Sequence, residues 1–423
     1  MMEIQIPYGK SMITAYADAA RTAGVITSGL DSYRAVNGEK ELIEDAVKTP
    51  IDSPPLVELA RGRKKVVIIA SDHTRPVPSK LIMPVLLREI RTGNPEADIT
   101  ILIATGCHRE TRREELRNKF GDEILRNERI VIHDCDAQDM VLSGQLPSGG
   151  QLWINRLAAE ADLLVAEGFI EPHFFAGYSG GRKSILPGIA GRETIYANHC
   201  AEFINHRNAR YGQLEGNPIH EDMIFAARKV GLAYILNVVI NSSHRVIAAF
   251  AGDADSAHKK GTAFLDHLCR EKKIPADIVV TSNNGYPLDQ NIYQAVKGLA
   301  TAEGTVNPGG VIIMAAACDD GCGGDVFYET FRQAESAREI FNKISAVPRD
   351  RTEADQWQSQ ILARILTQHK VILISRCPDQ MVRDLHMLPA GSLTEALDKA
   401  DRILGHNKGS ITWIPEGISS IVQ

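Results

Sequence analysis

Three histidines, three arginines and a lysine occupy three short loops, each directly after an apolar stretch. The first loop is Ser71-Asp72-His73-Thr74-Arg75-Pro76. The second is Ala104-Thr105-Gly106-Cys107-His108-Arg109. The third runs from Glu171 to Ser184 and carries His173, Gly177, Gly180, Gly181 and Lys183. Imidazole, with an ordinary pKa of about 6.5, takes up and releases protons at neutral pH. An arginine such as Arg75 grips a carboxylate through two parallel hydrogen bonds. Glycines let the backbone approach a ligand closely. Placed in one volume, His108, His173, Arg75 and Lys183 point to acid/base work on an anionic substrate. Plainer readings stand beside this one. Asp72 and the prolines after it also suit a helix start, where Thr74 and nearby amides can receive a phosphate. A lone loop histidine such as His108 is often only a surface residue. The third loop is harder to read as a solvated turn, because Phe174, Phe175 and Ile185 flank its glycines.

Other residues with chemistry are less specific. Lys183 sits in Gly-Gly-Arg-Lys-Ser, but the spacing G-x-x-x-x-G-K-[ST] is absent, which disfavours a nucleotide hydrolase of the P-loop kind. A lysine in a glycine loop can also bond covalently to a cofactor. His199, in Asn198-His199-Cys200, reads either as a metal ligand or as a helix-end histidine. Gln294 and Lys297 are three apart and share a helix face, with Tyr293 before them. That face suits a hydroxylated anion or simple solvation. Trp357 lies in a helical stretch and reads as core or wall. Cys107 reads as wall. Cys318 and Cys322 form a spaced pair with no second pair, which argues against zinc. No strand–GxGxxG–helix fingerprint appears, which disfavours a nicotinamide dehydrogenase.

The elements that must hold these loops alternate along the chain. Apolar runs at 66–70, 99–104, 162–167, 233–240, 277–281, 311–316 and 371–375 are separated by helical stretches. Such alternation predicts β-α-β units. The expected fold is α/β, with two lobes that each carry a mostly parallel sheet flanked by helices. The active site is expected in the cleft between them, since loops at the carboxyl ends of such strands converge on one crevice. The charged stretch Arg270-Glu271-Lys272-Lys273-Ile274-Pro275 suggests a division into residues 1–272, holding a cofactor, and 273–423. The last strand is free to cross back to the first domain.

Composition sets outer limits. The chain has 423 residues, is 44% hydrophobic and carries a net charge of -6. No basic surface argues for nucleic acid. Seven cysteines at irregular spacing fit a reducing compartment better than a disulfide framework. No apolar run approaches the roughly 20 residues a membrane helix needs, and residues 1–10 show no apolar signal core. A cytoplasmic protein without a membrane partner is expected.

Taken together, these segments resemble the lactate racemases that use a nickel-pincer nucleotide. The most specific pieces are residues 71–78, 174–190 and 285–298, the last reading Tyr-Pro-Leu-Asp-Gln-Asn-Ile-Tyr-Gln-Ala-Val-Lys-Gly after Gly285; Asp355-Gln356-Trp357 also matches. The resemblance implies interconversion of L- and D-lactate by proton-coupled hydride transfer through pyruvate. It implies a nickel-bearing pyridinium-3,5-bisthiocarboxylate mononucleotide, joined to the chain at Lys183, with His199 as the nickel ligand. It implies His108 and His173 as the acid/base pair. Asp72, His73, Thr74 and Arg75 would contact the nucleotide. Arg75, Tyr293, Gln294, Lys297 and Trp357 would contact substrate. Proteins that build the cofactor would be partners. The alternative is a racemase or epimerase of another small 2-hydroxy acid on the same cofactor. One departure lies beside a catalytic position: Pro172 stands where the resemblance leads one to expect a serine before His173.

Overall fold

The computed structural model describes residues 2–423. Its first sheet has six strands in the order Val246–Gly252, Leu232–Ile240, Leu163–Phe169, Lys65–Ser71, Asp98–Ala104 and Arg129–Ile132. Only the Val246–Gly252 edge is antiparallel. Lys65–Ser71 reads Lys-Val-Val-Ile-Ile-Ala-Ser, a continuous apolar run rather than an alternating one, and its five central residues are buried. That is the pattern of an interior parallel strand covered on both faces. One cover is the helix Ser79–Gly93, whose Ile82, Met83, Leu86, Leu87 and Ile90 recur at helical spacing and are all buried.

The second sheet is parallel throughout, in the order Leu388–Ala390, Lys370–Ile374, Val306–Ala315, Ala276–Ser282, Ile411–Ile414 and Thr22–Val25. The architecture is thus α/β with two lobes, each built on a sheet dominated by parallel pairing. The chain ends weave the lobes together. Thr22–Val25 is an edge strand of the second sheet although it precedes the first lobe in the chain. The hairpin of Met2–Tyr8 and Ser11–Ala17 buries Ile4, Ile6, Ala15 and Ala17 in that lobe's core, against Ile278, Val280 and Trp413. Ile414 is followed by a turn, and Ile421–Val422 then pairs with Arg270–Glu271. One apolar cluster runs through both lobes, joining Ile69 and Leu102 of the first sheet to Val279 and Ile312 of the second. Among the described residues no helix is long and apolar enough to cross a membrane.

Candidate active site

The order of the first sheet fixes where a ligand can sit. From Lys65–Ser71 the chain steps to Asp98–Ala104 on one side and later to Leu163–Phe169 on the other. The loops leaving the carboxyl ends of these strands therefore diverge, and a crevice opens between them. That crevice is a cavity of about 230 Å³ between the lobes. Its walls bring together Asp72, Arg75, His108, His173, Lys183 and His199 from the first lobe. The second lobe contributes Tyr293, Gln294, Lys297 and Trp357. Two of the sequence candidates stand apart. Thr74 lines a smaller adjoining recess, and its hydroxyl donates to Asp72 Oδ1 at 2.7 Å. His73 turns to Thr111 Oγ1 at 3.1 Å, toward Glu115 and away from the cavity.

The two cavity histidines are held in different ways. His108 Nδ1 lies 2.7 Å from Asp72 Oδ2, so the carboxylate accepts an Nδ1–H and leaves the Nε2 lone pair free. Burial works to raise the Asp72 carboxyl, but the hydrogen bond and charge of His108, with help from Arg75 and Thr74, hold it well below the usual carboxylate range. Asp72 is only 2% exposed. His173 sits on a tight antiparallel pairing in which Pro172 faces Tyr178 and His173 faces Gly177. Its Nδ1 accepts the Ala176 N–H at 3.3 Å, which places the neutral ring's proton on Nε2. Burial, then the charges of Lys183, Lys297 and Arg75, keep His173 neutral well below its ordinary range.

The glycine loop is built to carry Lys183. Gly180 has φ +77°, and a Cβ there would meet Asn237 Oδ1 at 2.7 Å and Phe169 O at 2.9 Å. The same Asn237 oxygen accepts the Gly181 N–H at 2.7 Å. Arg182 is fully buried and donates to the carbonyls of Tyr178 and Ala176, each at 2.8 Å, so it fastens the loop rather than serving a ligand. Lys183 Nζ then reaches within 3.5 Å of His173 Nε2. Burial, followed by the charges of Arg182, Arg75 and Lys297, pushes its ammonium far below the usual lysine range. A neutral amine is a nucleophile.

His199 closes the helix Arg192–Asn198 and is packed edge-on by Trp357, with ring centroids 5.2 Å apart. Burial lowers its pKa to about 3, and its Nδ1 has no hydrogen-bond partner. In the second lobe, the helix Ile292–Glu303 starts at Asn291, whose side chain accepts the Gln294 N–H at 2.9 Å. This cap aims Tyr293, Gln294 and Lys297 at the cleft. Tyr293 donates to Asp355 Oδ1 at 3.0 Å. Burial, with the charge of Arg75, brings Lys297 down to about 8.

Two cavity residues escaped the sequence reading. Glu167 accepts from Ser79 Oγ at 2.7 Å, while its Oε2 is buried without a partner. Burial raises its pKa above the usual carboxylate range. The signal was an acid in the otherwise apolar run Leu163-Leu164-Val165-Ala166-Glu167-Gly168-Phe169. Asp355, held at φ +61° before the helix Gln356–Gln368, matches only as part of Asp355-Gln356-Trp357, with no role of its own.

Fold and site define a class: two-lobed α/β proteins whose small-molecule cavity lies between a mixed sheet and a wholly parallel one. Residues 8–212 match the family model described as lactate racemase N-terminal domain, and 271–422 match the lactate racemase C-terminal domain. The chain belongs to the lactate racemase family. It is 52% identical to a lactate racemase of Thermoanaerobacterium thermosaccharolyticum and 49% identical to one of Lactiplantibacillus plantarum, in each case over all of both chains. The solved lactate racemase apoprotein from T. thermosaccharolyticum superposes with a TM-score of 0.97, covering both chains fully at 52% identity.

Proposed function

We propose that this protein interconverts L- and D-lactate, with His108 and His173 as the paired acid and base. The observation that carries the reading is the pair itself. Two imidazoles line one cavity with opposite resting tautomers, beside two cations that can hold a carboxylate. His108, with a free Nε2, is set to take the hydroxyl proton of one enantiomer. His173 would serve the other by moving its ring proton to Nδ1, releasing the long Ala176 contact and freeing Nε2 beside Lys183. Arg75 and Lys297 hold the carboxylate, and Gln294 and Tyr293 orient the oxygen at the reacting carbon. Fixing a small acid in this way supplies much of the rate, because the reacting groups meet in one geometry.

The residues fit a nickel-pincer nucleotide. Lys183 offers an amine of lowered pKa for its covalent attachment, His199 offers an unspent imidazole for nickel, and Glu167 offers one buried carboxyl oxygen without a partner. When bound, the group supplies a hydride acceptor, so lactate passes through planar pyruvate instead of a dianionic carbanion. Proteins that assemble that nucleotide would be obligatory partners.

The test is chiral chromatography of L-lactate incubated with protein made alongside the cofactor-building enzymes, with loading checked by intact mass. Loaded protein should bring D- and L-lactate to equal amounts. His108→Ala or His173→Ala should slow this by roughly 10²–10⁴-fold while keeping the mass adduct. Loaded wild-type protein that leaves lactate untouched would transfer the proposal to another small 2-hydroxy acid.

A further inference from the structure

Cys107 and Cys135 lie in loops that leave two paired parallel strands, Asp98–Ala104 and Arg129–Ile132. Their sulfurs are 3.9 Å apart. Cys107 directly precedes His108 and lines the cavity. Cys135 is 8% exposed and packs beneath it. Both cysteines are free thiols.

We propose that Cys107 and Cys135 are an oxidative modification site: a peroxide entering the cavity closes them to a disulfide that withdraws His108 from its working position. A cation site is the competing use of these groups, because Asp134 and Asp136 flank Cys135 closely enough to share an ion. Three of their four carboxylate oxygens are already engaged. Arg192 takes both Asp136 oxygens at 2.6 Å, and Asp134 Oδ1 accepts the Asp136 N–H at 2.9 Å. The two sulfurs meet each other at 3.9 Å.

The chemistry balances. Cys107 lines the cavity and meets the peroxide first. Its thiol gives up a proton and the sulfur attacks a peroxide oxygen. The S–O bond forms, the O–O bond breaks, and the departing oxygen takes a proton and leaves as water. The Cys135 sulfur then attacks the Cys107 sulfur. The S–S bond forms, the S–O bond breaks, and the Cys135 proton leaves in a second water. Two thiols lose two electrons and the peroxide gains them.

Geometry makes the closure consequential. A disulfide spans about 2.05 Å, so the sulfurs must approach from their 3.9 Å contact. The Cys135 side is anchored, since its carbonyl accepts the Arg192 N–H at 3.0 Å. The Cys107 side is a tight turn, with Gly106 at φ +55°, its N–H donating to the Gly188 carbonyl at 3.0 Å and the His108 N–H to the Thr105 carbonyl at 2.9 Å, so closure pulls on the turn that carries His108. Movement there carries His108 off Asp72.

This inference rests on the racemase reading only for its effect on turnover. Full-length protein, with and without the nucleotide, would be treated with hydrogen peroxide, alkylated, digested and mapped by mass. A linked Cys107–Cys135 peptide is expected, reversed by dithiothreitol, with faster hydrogen exchange at residues 104–109. Loaded wild-type protein should lose at least tenfold in lactate racemisation and regain it with dithiothreitol. Cys135→Ser should keep its rate through the same treatment, separating this site from oxidation of the nucleotide. Both thiols remaining alkylatable after peroxide would overturn the proposal. So would a complete linkage that leaves rate and exchange unchanged, or zinc protecting both thiols in protein that peroxide fails to link. Linkage and altered exchange in a protein without activity on lactate would sink the racemase reading and leave this one standing.

Discussion

Replacing Asp72 by asparagine tests how the cavity sets its base. The Asp72 carboxylate accepts from His108 Nδ1 at 2.7 Å and is almost wholly buried, while the side chain of His108 is 46% exposed. One ring edge is therefore fixed and the other faces the cavity. An amide in this place keeps the volume but removes the charge, and it can present an N–H that favours the wrong tautomer. Hydrogen bonds to charged groups contribute about 1.5–3 kcal/mol. At 1.36 kcal/mol per tenfold, the full loss corresponds to roughly 10–150-fold in kcat/KM. The exposed side of His108 argues for the lower part of that range, because water can hold the ring in a usable orientation part of the time. The assay is the initial rate of racemisation from each enantiomer, with adduct mass measured on the same sample. Because L- and D-lactate are equal in free energy, kcat/KM should fall by the same factor from either enantiomer, with any asymmetry confined to compensating changes in kcat and KM. An unchanged rate in fully loaded Asp72→Asn protein would refute the positioning role. Loss of the adduct in that variant would show that Asp72 serves the nucleotide instead.

Three further outcomes follow from the site. Lys183→Ala should carry no covalent adduct, and His199→Ala should keep the adduct but lose nickel, read by intact mass and by metal analysis; an adduct on Lys183→Ala would sink the attachment site. Lys297, with a pKa of about 8, is charged below that value and neutral above it, so KM for lactate should rise as pH passes 8. Lys297→Arg should move that rise to higher pH, and a KM flat from pH 7 to 9 in wild-type protein would contradict the carboxylate role. Gly180→Ala places a Cβ against Asn237 and the Phe169 carbonyl at positive φ, a strain of about 1–3 kcal/mol. It should lower Tm by several degrees and reduce attachment at Lys183; an unaltered Tm would show that the loop shifts freely.

Much of the scaffold was legible because its signals are local. The runs at 66–70, 99–104 and 233–240 are apolar at nearly every position and rich in Val and Ile, which suits a strand covered on both faces, and all three lie in the first sheet. The loops after the first two of these strands and after Leu163–Phe169 were expected to converge, and the cavity gathers Arg75, His108, His173 and Lys183 from them. Residue types and spacing also suggested the chemistry: imidazoles for protons, a lysine among glycines, and Gln294 and Lys297 on one helix face.

The tertiary structure decided what depends on distance in space. No periodicity shows that Thr22–Val25 pairs with Ile411–Ile414, because strand partners are chosen by sheet edges far apart in the chain. No spacing joins Asp72 to His108, thirty-six residues on, or leaves His73 outside the cavity while Asp72 and Arg75 line it. The acid of Glu167 and the neutral amine of Lys183 are products of burial, since removing water raises the cost of charge. The sequence determined which groups are available; the packed lobes determined which of them meet, and in which protonation state.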